Sequence, residues 1–256
     1  MNGILIRAAD LSGVVAVPDG VRMIGGTAFL NRKNITKVKL PESCELIGDY
    51  GFYKCDSLKT IESSKGLKTI TQSAFCNLSS LETVVFPDSI RNIETSSFKG
   101  CKNLKSVTLP DVPVSVSTDA FAMCPNLKSI TLPASAYSIA NGAFGYDISY
   151  YDLANKSEEY INSKKVPGFT VYGYEGTLAE TYAKNNGFDF VALKEQDPCD
   201  FDGGGTVDVN DLIIMQKCVA GWKVKIARTL FDLDRNGTLD VDDLLLMQKI
   251  VAGWKI

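Results

Sequence analysis

Phenylalanine and isoleucine recur through the first part of the chain with a constant period of 23 residues. A small residue precedes each of the six phenylalanines, which are Phe29, Phe52, Phe75, Phe98, Phe121 and Phe144. Five residues before each of them stands an aliphatic residue, namely Ile24, Ile47, Ile70, Ile93, Val116 or Ile139. A period this strict predicts a solenoid, in which each repeat buries its apolar side chains against its neighbours.

Apolar and polar residues alternate in the segment that follows each phenylalanine, as in LKSVTLP (104–110) and LKSITLP (127–133). Alternation of this kind predicts a strand with its apolar side chains inward, which the proline ends. We expect one strand per repeat on a common sheet. Its outward residues include no planar aromatics: Thr36, Lys37, Lys39, Lys59, Thr60, Glu62, Glu82, Thr83, Val85, Lys105, Ser106, Thr108, Lys128, Ser129 and Thr131. One repeat has Ser63 and Ser64 in place of the usual Leu-Pro, so we expect an irregular turn there.

Three of the seven cysteines share one position of the repeat. Cys55, Cys101 and Cys124 occupy this position, and Leu78 occupies it in another copy. Free cysteine behaves as a small hydrophobic residue in a protein core. A position that cysteine shares with leucine therefore predicts buried thiols rather than disulfides.

The period ends after Phe144. The next segment is predicted to be an insertion that is helical around Leu153 to Ile161, and residues 168–193 then read as strand, helix and strand. Thr177 and Glu180 have the spacing of a capping box, and Gly187 stands where a helix ends with a residue at positive φ. We expect this segment to cover the last layer of the solenoid.

The repeat pattern AF-x-x-C-x-x-L-x-x-I-x-L-P resembles the BspA-like leucine-rich repeats of bacterial surface and secreted proteins. The resemblance extends from Gly13 to Ile148. It implies a β-rich leucine-rich-repeat solenoid with a terminal cap, and we therefore expect residues 1–193 to form one domain.

Two segments near the end of the chain are copies of each other. DFDGGGTVDVNDLIIMQKCVAGW begins at Asp200 and DLDRNGTLDVDDLLLMQKIVAGW begins at Asp232. Each has Asp at loop positions 1, 3, 9 and 12 and Gly at position 6, and an apolar helix follows at once. Calcium prefers six to eight oxygen ligands, and this spacing directs alternate side chains of a tight loop to one centre. The pattern predicts two EF-hand-type calcium loops.

The two loops differ in how complete their ligand sets are. The second loop offers Asp232, Asp234, Asn236, the main-chain carbonyl of Thr238, Asp240 and Asp243. The first loop offers Asp200, Asp202, the carbonyl of Thr206, Asp208 and Asp211. Position 5 of the first loop is Gly204, which has no side-chain oxygen. We expect two calcium ions, with the first site the weaker.

The first loop lacks a preceding helix and both loops end in Asp, so the duplicated unit resembles type I dockerins over residues 197–256. The resemblance implies a small all-α module that binds a cohesin module of a cellulosomal scaffoldin in a calcium-dependent manner. It also places the partner-binding residues on the helix after each loop: Val209, Asn210, Ile213, Gln216 and Lys217 in the first copy, and Val241, Asp242, Leu245, Gln248 and Lys249 in the second.

Composition excludes several functions. The net charge of the 256-residue chain is -3, which argues against nucleic acid as a partner because no excess of cations is present to neutralise phosphates. No uninterrupted apolar run is long enough to predict membrane insertion. The chain has no histidine, the most frequent general base and partner of nucleophiles, so we do not expect an enzyme.

These features together predict an α+β protein of two modules. The expected function is that of a secreted, extracellular and non-catalytic subunit of a cellulosome-type complex for polysaccharide degradation, in which the repeats serve recognition or spacing. The ligand of the repeat domain stays open. An alternative is the C-terminal fragment of a larger cellulosomal enzyme with its catalytic domain upstream of Met1, since the chain starts in repeat-like sequence without a signal peptide. A calcium buffer or sensor is less favoured because the first loop follows no helix.

Overall fold

The computed structural model describes residues 3–5, 12–149, 152, 156–193, 207–221 and 240–253. The chain divides into two compact units, Met1–Leu193 and Lys194–Ile256. None of the helices in the described segments combines the length and the apolar character needed to cross a membrane.

The described part of the first unit consists of short strands and two helices. The strands are β1 (Ile4–Leu5), β2 (Gly13–Ala16), β3 (Met23–Ile24), β4 (Ile35–Lys39), β5 (Leu46–Ile47), β6 (Thr60–Glu62), β7 (Thr69–Ile70), β8 (Thr83–Val85), β9 (Asn92–Ile93), β10 (Ser106–Thr108), β11 (Ser115–Val116), β12 (Ser129–Thr131), β13 (Ser138–Ile139), β14 (Thr170–Gly173) and β15 (Asp189–Ala192). The helices are α1 (Glu158–Ser163) and α2 (Leu178–Asn186).

Each repeat contributes two strands, which corrects the prediction of one strand on a common sheet. The two-residue strands that carry the isoleucine column form one parallel sheet in the order β1-β3-β5-β7-β9-β11-β13. The longer strands form three separate parallel sheets, β2-β4-β6, β10-β8 and β12-β14-β15. The alternating pattern predicted the longer strands correctly, but a strand of two residues is too short to show any alternation.

The gap between β6 and β8 coincides with the repeat that departs from the Leu-Pro pattern. The hydroxyl of Ser63 donates to the carbonyl oxygen of Val85 at 3.1 Å, and the hydroxyl of Ser64 donates to that of Cys44 at 2.7 Å. A narrow crevice lies there, and its lining includes Ser63 and Leu67. The irregular turn expected at this position is therefore present.

The six phenylalanines form a continuous stack through the core. Their side chains are buried, and the centroids of successive rings lie 4.6 to 5.1 Å apart. Main-chain hydrogen bonds join the same residues, because the N–H of each phenylalanine up to Phe121 donates to a carbonyl of the next repeat at 2.7 to 2.8 Å. The core column and the backbone ladder are thus two aspects of one layered arrangement.

The turns of the solenoid contain residues in the left-handed region at two repeat positions. The non-glycine members are Thr27, Tyr50, Ser73, Ser96 and Asp119 at the first position, and Asn31, Lys54, Asn77 and Met123 at the second. Side chains other than glycine resist this conformation. The left-handed backbone at these two positions therefore follows from the geometry of the repeat rather than from the preference of any one residue.

The predicted thiols are confirmed. Cys55, Cys101 and Cys124 are buried and free, and their S–H groups donate to the carbonyl oxygens of phenylalanines 26 residues earlier, at 3.1, 3.3 and 3.4 Å. Burial raises the pKa of the Cys55 thiol to about 11. A neutral thiol fits this position because ionisation would leave a charge in an apolar core.

The strand, helix and strand predicted after the insertion are present as β14, α2 and β15. Thr177 is the N-cap of α2 and accepts from the N–H of Ala179, but Glu180 accepts from the N–H of Gly176 instead of completing a capping box. Gly187 ends the helix at φ 59°, as expected. In the insertion, α1 follows the N-cap Ser157 within the predicted segment, Asp152 is also helical, and Leu153 lies outside the described residues.

Tyr182 of α2 closes the last layer of the solenoid. Its hydroxyl donates to the carbonyl oxygen of Phe144 at 2.8 Å and accepts from the N–H of the same residue at 2.9 Å. In the earlier layers, the phenylalanine N–H finds its partner in the next repeat. The buried tyrosine hydroxyl therefore makes the hydrogen bonds with Phe144 that a further repeat would otherwise make.

In the second unit, the described helices are α3 (Val209–Val219) and α4 (Val241–Val251). Met215 and Met247 are fully buried and form the centre of its apolar cluster. Leu212, Val219 and Leu244 pack around them.

The substitution Tyr182→Phe is expected to lower the free energy of unfolding of the first unit by about 1–3 kcal/mol, because it leaves two buried main-chain groups without their partner. Chemical denaturation followed by circular dichroism measures this change. Tyr137→Phe is the matched control, since the hydroxyl of that exposed residue bonds only the Asn92 side chain at 3.1 Å. Equal losses for the two variants would contradict the capping role.

Alkaline pH is expected to destabilise the first unit through its buried thiols. The pKa of Cys55 is raised from 9.0 to about 11, so its contribution is complete below pH 9 and is lost as the pH rises from about 9 to about 11. Each thiol that ionises only in the unfolded chain lowers stability by about 1.4 kcal/mol per pH unit. Melting temperatures between pH 8 and 11 measure the effect. Cys55→Leu should reduce the fall of the melting temperature with pH, because it removes one of the buried thiols. Leucine is chosen because Leu78 occupies the same repeat position. An unchanged dependence of the melting temperature on pH would contradict this prediction.

Candidate functional site

The ends of the two predicted calcium loops are the starts of α3 and α4. Asp208 and Asp240, at loop position 9, are the N-caps of these helices. One carboxylate oxygen of Asp208 accepts from the N–H of Asn210 at 2.7 Å, and the corresponding oxygen of Asp240 accepts from Asp242 at 2.9 Å. The duplicated sequence therefore gives duplicated local geometry.

Asp211 and Asp243, at loop position 12, are fully buried. The Oδ2 atom of Asp211 accepts from the N–H of Asp208 at 2.9 Å, and Oδ2 of Asp243 accepts from the N–H of Asp240 at the same distance. Both helices thus begin with a reciprocal capping box. Burial of a carboxylate is unfavourable unless hydrogen bonds or opposite charge compensate it, and the first turn of a helix supplies part of that compensation.

The described residues of the loops have donor atoms that suit calcium. Each loop ends in two aspartates that are held next to each other, and carboxylate oxygens are the ligands this cation prefers. The other predicted ligands lie outside the described residues: Asp200, Asp202, Thr206, Asp232, Asp234, Asn236 and Thr238. No group of three or more potential metal ligands occurs within the described segments, which contain only two aspartates of each loop.

The predicted partner-binding residues lie on the outer faces of α3 and α4. The apolar members are strongly exposed, by 56% at Val209, 39% at Ile213, 59% at Val241 and 49% at Leu245. Asn210, Gln216, Asp242, Gln248 and Lys249 are exposed as well, and Lys217 is half-buried. The two helices therefore present matching surfaces with aliphatic residues beside amide and charged groups.

The outward strand positions of the first unit are exposed as predicted, apart from the half-buried Lys37. Charged side chains pair between neighbouring strands. Glu62 forms ion pairs with Lys37 and Lys39, and Lys105 pairs with Glu82 at 2.7 Å. Exposed pairs of this kind contribute little stability.

A pair of tyrosines lies on a turn, where the alternating pattern of the strands did not predict aromatic residues. Tyr50 is exposed and Tyr53 is half-buried, and their ring centroids lie 5.5 Å apart in an edge-to-face arrangement. The 23-residue period gives the signal that could have found Tyr50. It aligns this residue with the polar residues Thr27, Ser73 and Ser96, which marks the position as a surface position.

Comparison with known proteins identifies the repeats. The BspA type leucine rich repeat region matches residues 22–151 in six copies. The crystal structure of the T. pallidum leucine rich repeat protein (TpLRR) is 22% identical, with a TM-score of 0.51 over 74% of this chain and 91% of that chain. The pneumococcal vaccine antigen PcpA is 20% identical, with a TM-score of 0.50 over 75% of this chain and 45% of that chain.

At these identities the two crystal structures show a common fold and nothing further. No curated protein sequence matches the chain. The six matched repeats cover half of the sequence and coincide with the stacked phenylalanine layers. The chain belongs to the BspA-type leucine-rich repeat family.

Proposed function

We propose that the second unit is a calcium-binding, dockerin-like module that attaches the protein to a cohesin module of a scaffoldin. The observation that carries the proposal is the repetition of one arrangement. In each copy a buried aspartate in the first turn completes the capping box of a helix, and the outer face of that helix exposes two aliphatic side chains. A module that served only its own core would not need to expose four aliphatic residues at matching positions.

Calcium, when bound, supplies the positive charge that allows clustered carboxylates to lie close together. Hydrogen bonds within the chain hold the last two carboxylates of each loop in place. The reciprocal bonds between Asp208 and Asp211, and between Asp240 and Asp243, fix these carboxylates relative to the helix axis. Removal of the ion would leave the repulsion between carboxylates uncompensated, so this module should depend on calcium for its folding.

The exposed faces of α3 and α4 suit a protein partner. Interfaces between proteins combine an apolar centre with a polar rim. Val209 and Ile213, or Val241 and Leu245, can form such a centre, and the adjacent glutamine and lysine residues can form the rim. Because the two faces are alike, a rotation of about 180° would present either one to the same partner. Two orientations of binding are then available.

For the first unit we propose a non-catalytic role in recognition or spacing, within a secreted protein of a polysaccharide-degrading complex. The self-contained phenylalanine core and its Tyr182 cap support a rigid module that folds without a ligand. The absence of histidine from the sequence supports a function other than catalysis.

Excess chelator is expected to unfold the second unit and to leave the first unit folded. Calorimetry with and without calcium measures the unfolding transitions of both units. A transition of the second unit that chelator leaves unchanged would contradict calcium-dependent folding.

Asp243→Asn should weaken the tighter of the two calcium-binding events by at least about tenfold, which corresponds to about 1.4 kcal/mol. Asp211→Asn should have less effect on it, because loop 1 already lacks a side-chain oxygen at Gly204. The control is the exposed Asp242→Asn, and equal losses at 211 and 243 would refute the ranking.

Binding to a panel of cohesin modules in the presence and absence of calcium tests the docking function. Calcium-dependent retention by at least one cohesin is expected, and retention by none would refute the proposal.

If both orientations operate, the double variant Gln216→Ala with Lys217→Ala should lose little cohesin affinity. The double variant Gln248→Ala with Lys249→Ala should also lose little. The quadruple variant should then abolish binding. Loss of binding in one double variant alone would show that a single orientation is used.

A further inference from the structure

The turn surface of the first unit carries an aromatic cluster, which we call the tyrosine platform and define as Tyr50, Tyr53, Lys54 and Asn77. The side chain of Tyr50 is 38% exposed. Its ring meets that of Tyr53 at an interplanar angle of 77°. The ammonium group of Lys54 lies over the Tyr53 ring, 5.3 Å from its centroid. Tyr50 and Lys54 are thus the exposed members of the cluster, and Tyr53 and Asn77 are half-buried.

Contacts from the following layers fix the orientation of the platform. The side-chain amide of Asn77 donates to the hydroxyl of Tyr53 at 3.4 Å. Gly100 occupies the Asn77 position in the next layer, and a Cβ atom there would collide with Oδ1 of Asn77. The absence of a side chain at Gly100 therefore lets the Asn77 amide take the position from which it reaches Tyr53. Three layers of the solenoid cooperate in holding one tyrosine pair.

The core of the solenoid does not require this arrangement. Thr27, Ser73 and Ser96 occupy the position of Tyr50 in other repeats, with the same left-handed backbone. Tyr50 adopts this backbone at φ 57° and packs edge-to-face on Tyr53, yet 38% of its surface remains exposed. The tyrosine is therefore better explained by a contact with a ligand than by the stability of the repeat.

We propose that the tyrosine platform binds a pyranose ring of an oligosaccharide. One face of a pyranose presents C–H groups and its rim presents hydroxyl groups, so it matches an aromatic ring with hydrogen-bonding groups around it. Tyr50 supplies the ring. Lys54 and the exposed Asn31 of the preceding layer supply the polar groups, since the N–H of Asn31 bonds the carbonyl of Tyr53 at 2.8 Å and so brings the two layers together.

Preorganisation favours a small ligand of this kind. The contacts of Tyr53 with Lys54 and Asn77 restrict its ring before any ligand arrives, and this reduces the entropy lost on binding. The platform is also small, with a single exposed aromatic ring at its centre. A stable protein interface buries far more surface, about 800 Å² on each partner. This inference rests on the proposed recognition role of the first unit and gives it a class of ligand.

The test uses the intact chain with calcium and three neutral probes: cellohexaose, xylohexaose and mannohexaose. Saturation-transfer NMR and titration calorimetry measure binding. At least one probe is expected to bind, and Tyr50→Ser should weaken that binding by at least about tenfold, which corresponds to about 1.4 kcal/mol. Serine is chosen because Ser73 and Ser96 show that the repeat accepts it at this position. Tyr50→Phe should retain most of the affinity, since the ring remains.

Tyr137→Ser is the matched control, because Tyr137 is an exposed tyrosine at another repeat position and its hydroxyl bonds Asn92. It should leave binding unchanged. Gly100→Ala should weaken binding by displacing the Asn77 amide, although residue 100 lies away from the ligand. The proposal is overturned if none of the probes binds, or if Tyr50→Ser binds as tightly as the unmodified chain. Cohesin binding is measured for the same variants. Loss of sugar binding with cohesin binding retained would then count against the tyrosine platform alone and not against the docking function.

Discussion

Parallel, in-register hydrogen bonding between consecutive repeats is the constraint on which the first unit depends. Neighbouring strands of a sheet lie about 4.8 Å apart. The phenylalanine rings stack at 4.6 to 5.1 Å because they inherit that spacing. The same register places Cys124 over Cys101 and Asn77 over Lys54. Each column of side chains is thus a consequence of the backbone ladder, and the ladder in turn requires a partner at its open end, which Tyr182 provides.

The period of 23 residues was sufficient to predict the core, because a buried column needs the same kind of residue in each layer. Phe29 to Phe144 and the shared position of Cys55 and Leu78 were identified in this way. The period was not sufficient to predict the number of strands, since Leu46–Ile47 and its equivalents are too short to show an alternating pattern. It also concealed the left-handed turns, because threonine, serine and tyrosine occupy positions where a sequence reader expects glycine.

In the second unit, the sequence and the structure contribute different facts about the same residues. The spacing of the aspartates predicted Asp211 and Asp243 as calcium ligands, but it gave no indication that both are fully buried and complete the capping box of the helix that follows. The reason is that metal binding and helix capping favour the same residue type at the same place. The exposure of Val209 and Val241 depends on how α3 and α4 pack, which no local pattern encodes.

A solenoid separates the residues that stabilise it from those that are free to vary, because a turn side chain can change without any change in the stacked core. Departures from the period therefore fall into two kinds. Ser64 and Tyr182 depart from the repeat and satisfy buried carbonyl groups, so the needs of the fold account for them. Tyr50 has the same left-handed backbone as Thr27, Ser73 and Ser96, but it places an aromatic ring on the surface turn, and contacts from the layers of Asn77 and Gly100 support its partner Tyr53. A surface aromatic residue that the stacked core does not need, and that contacts from adjacent layers hold in place, is best explained by binding.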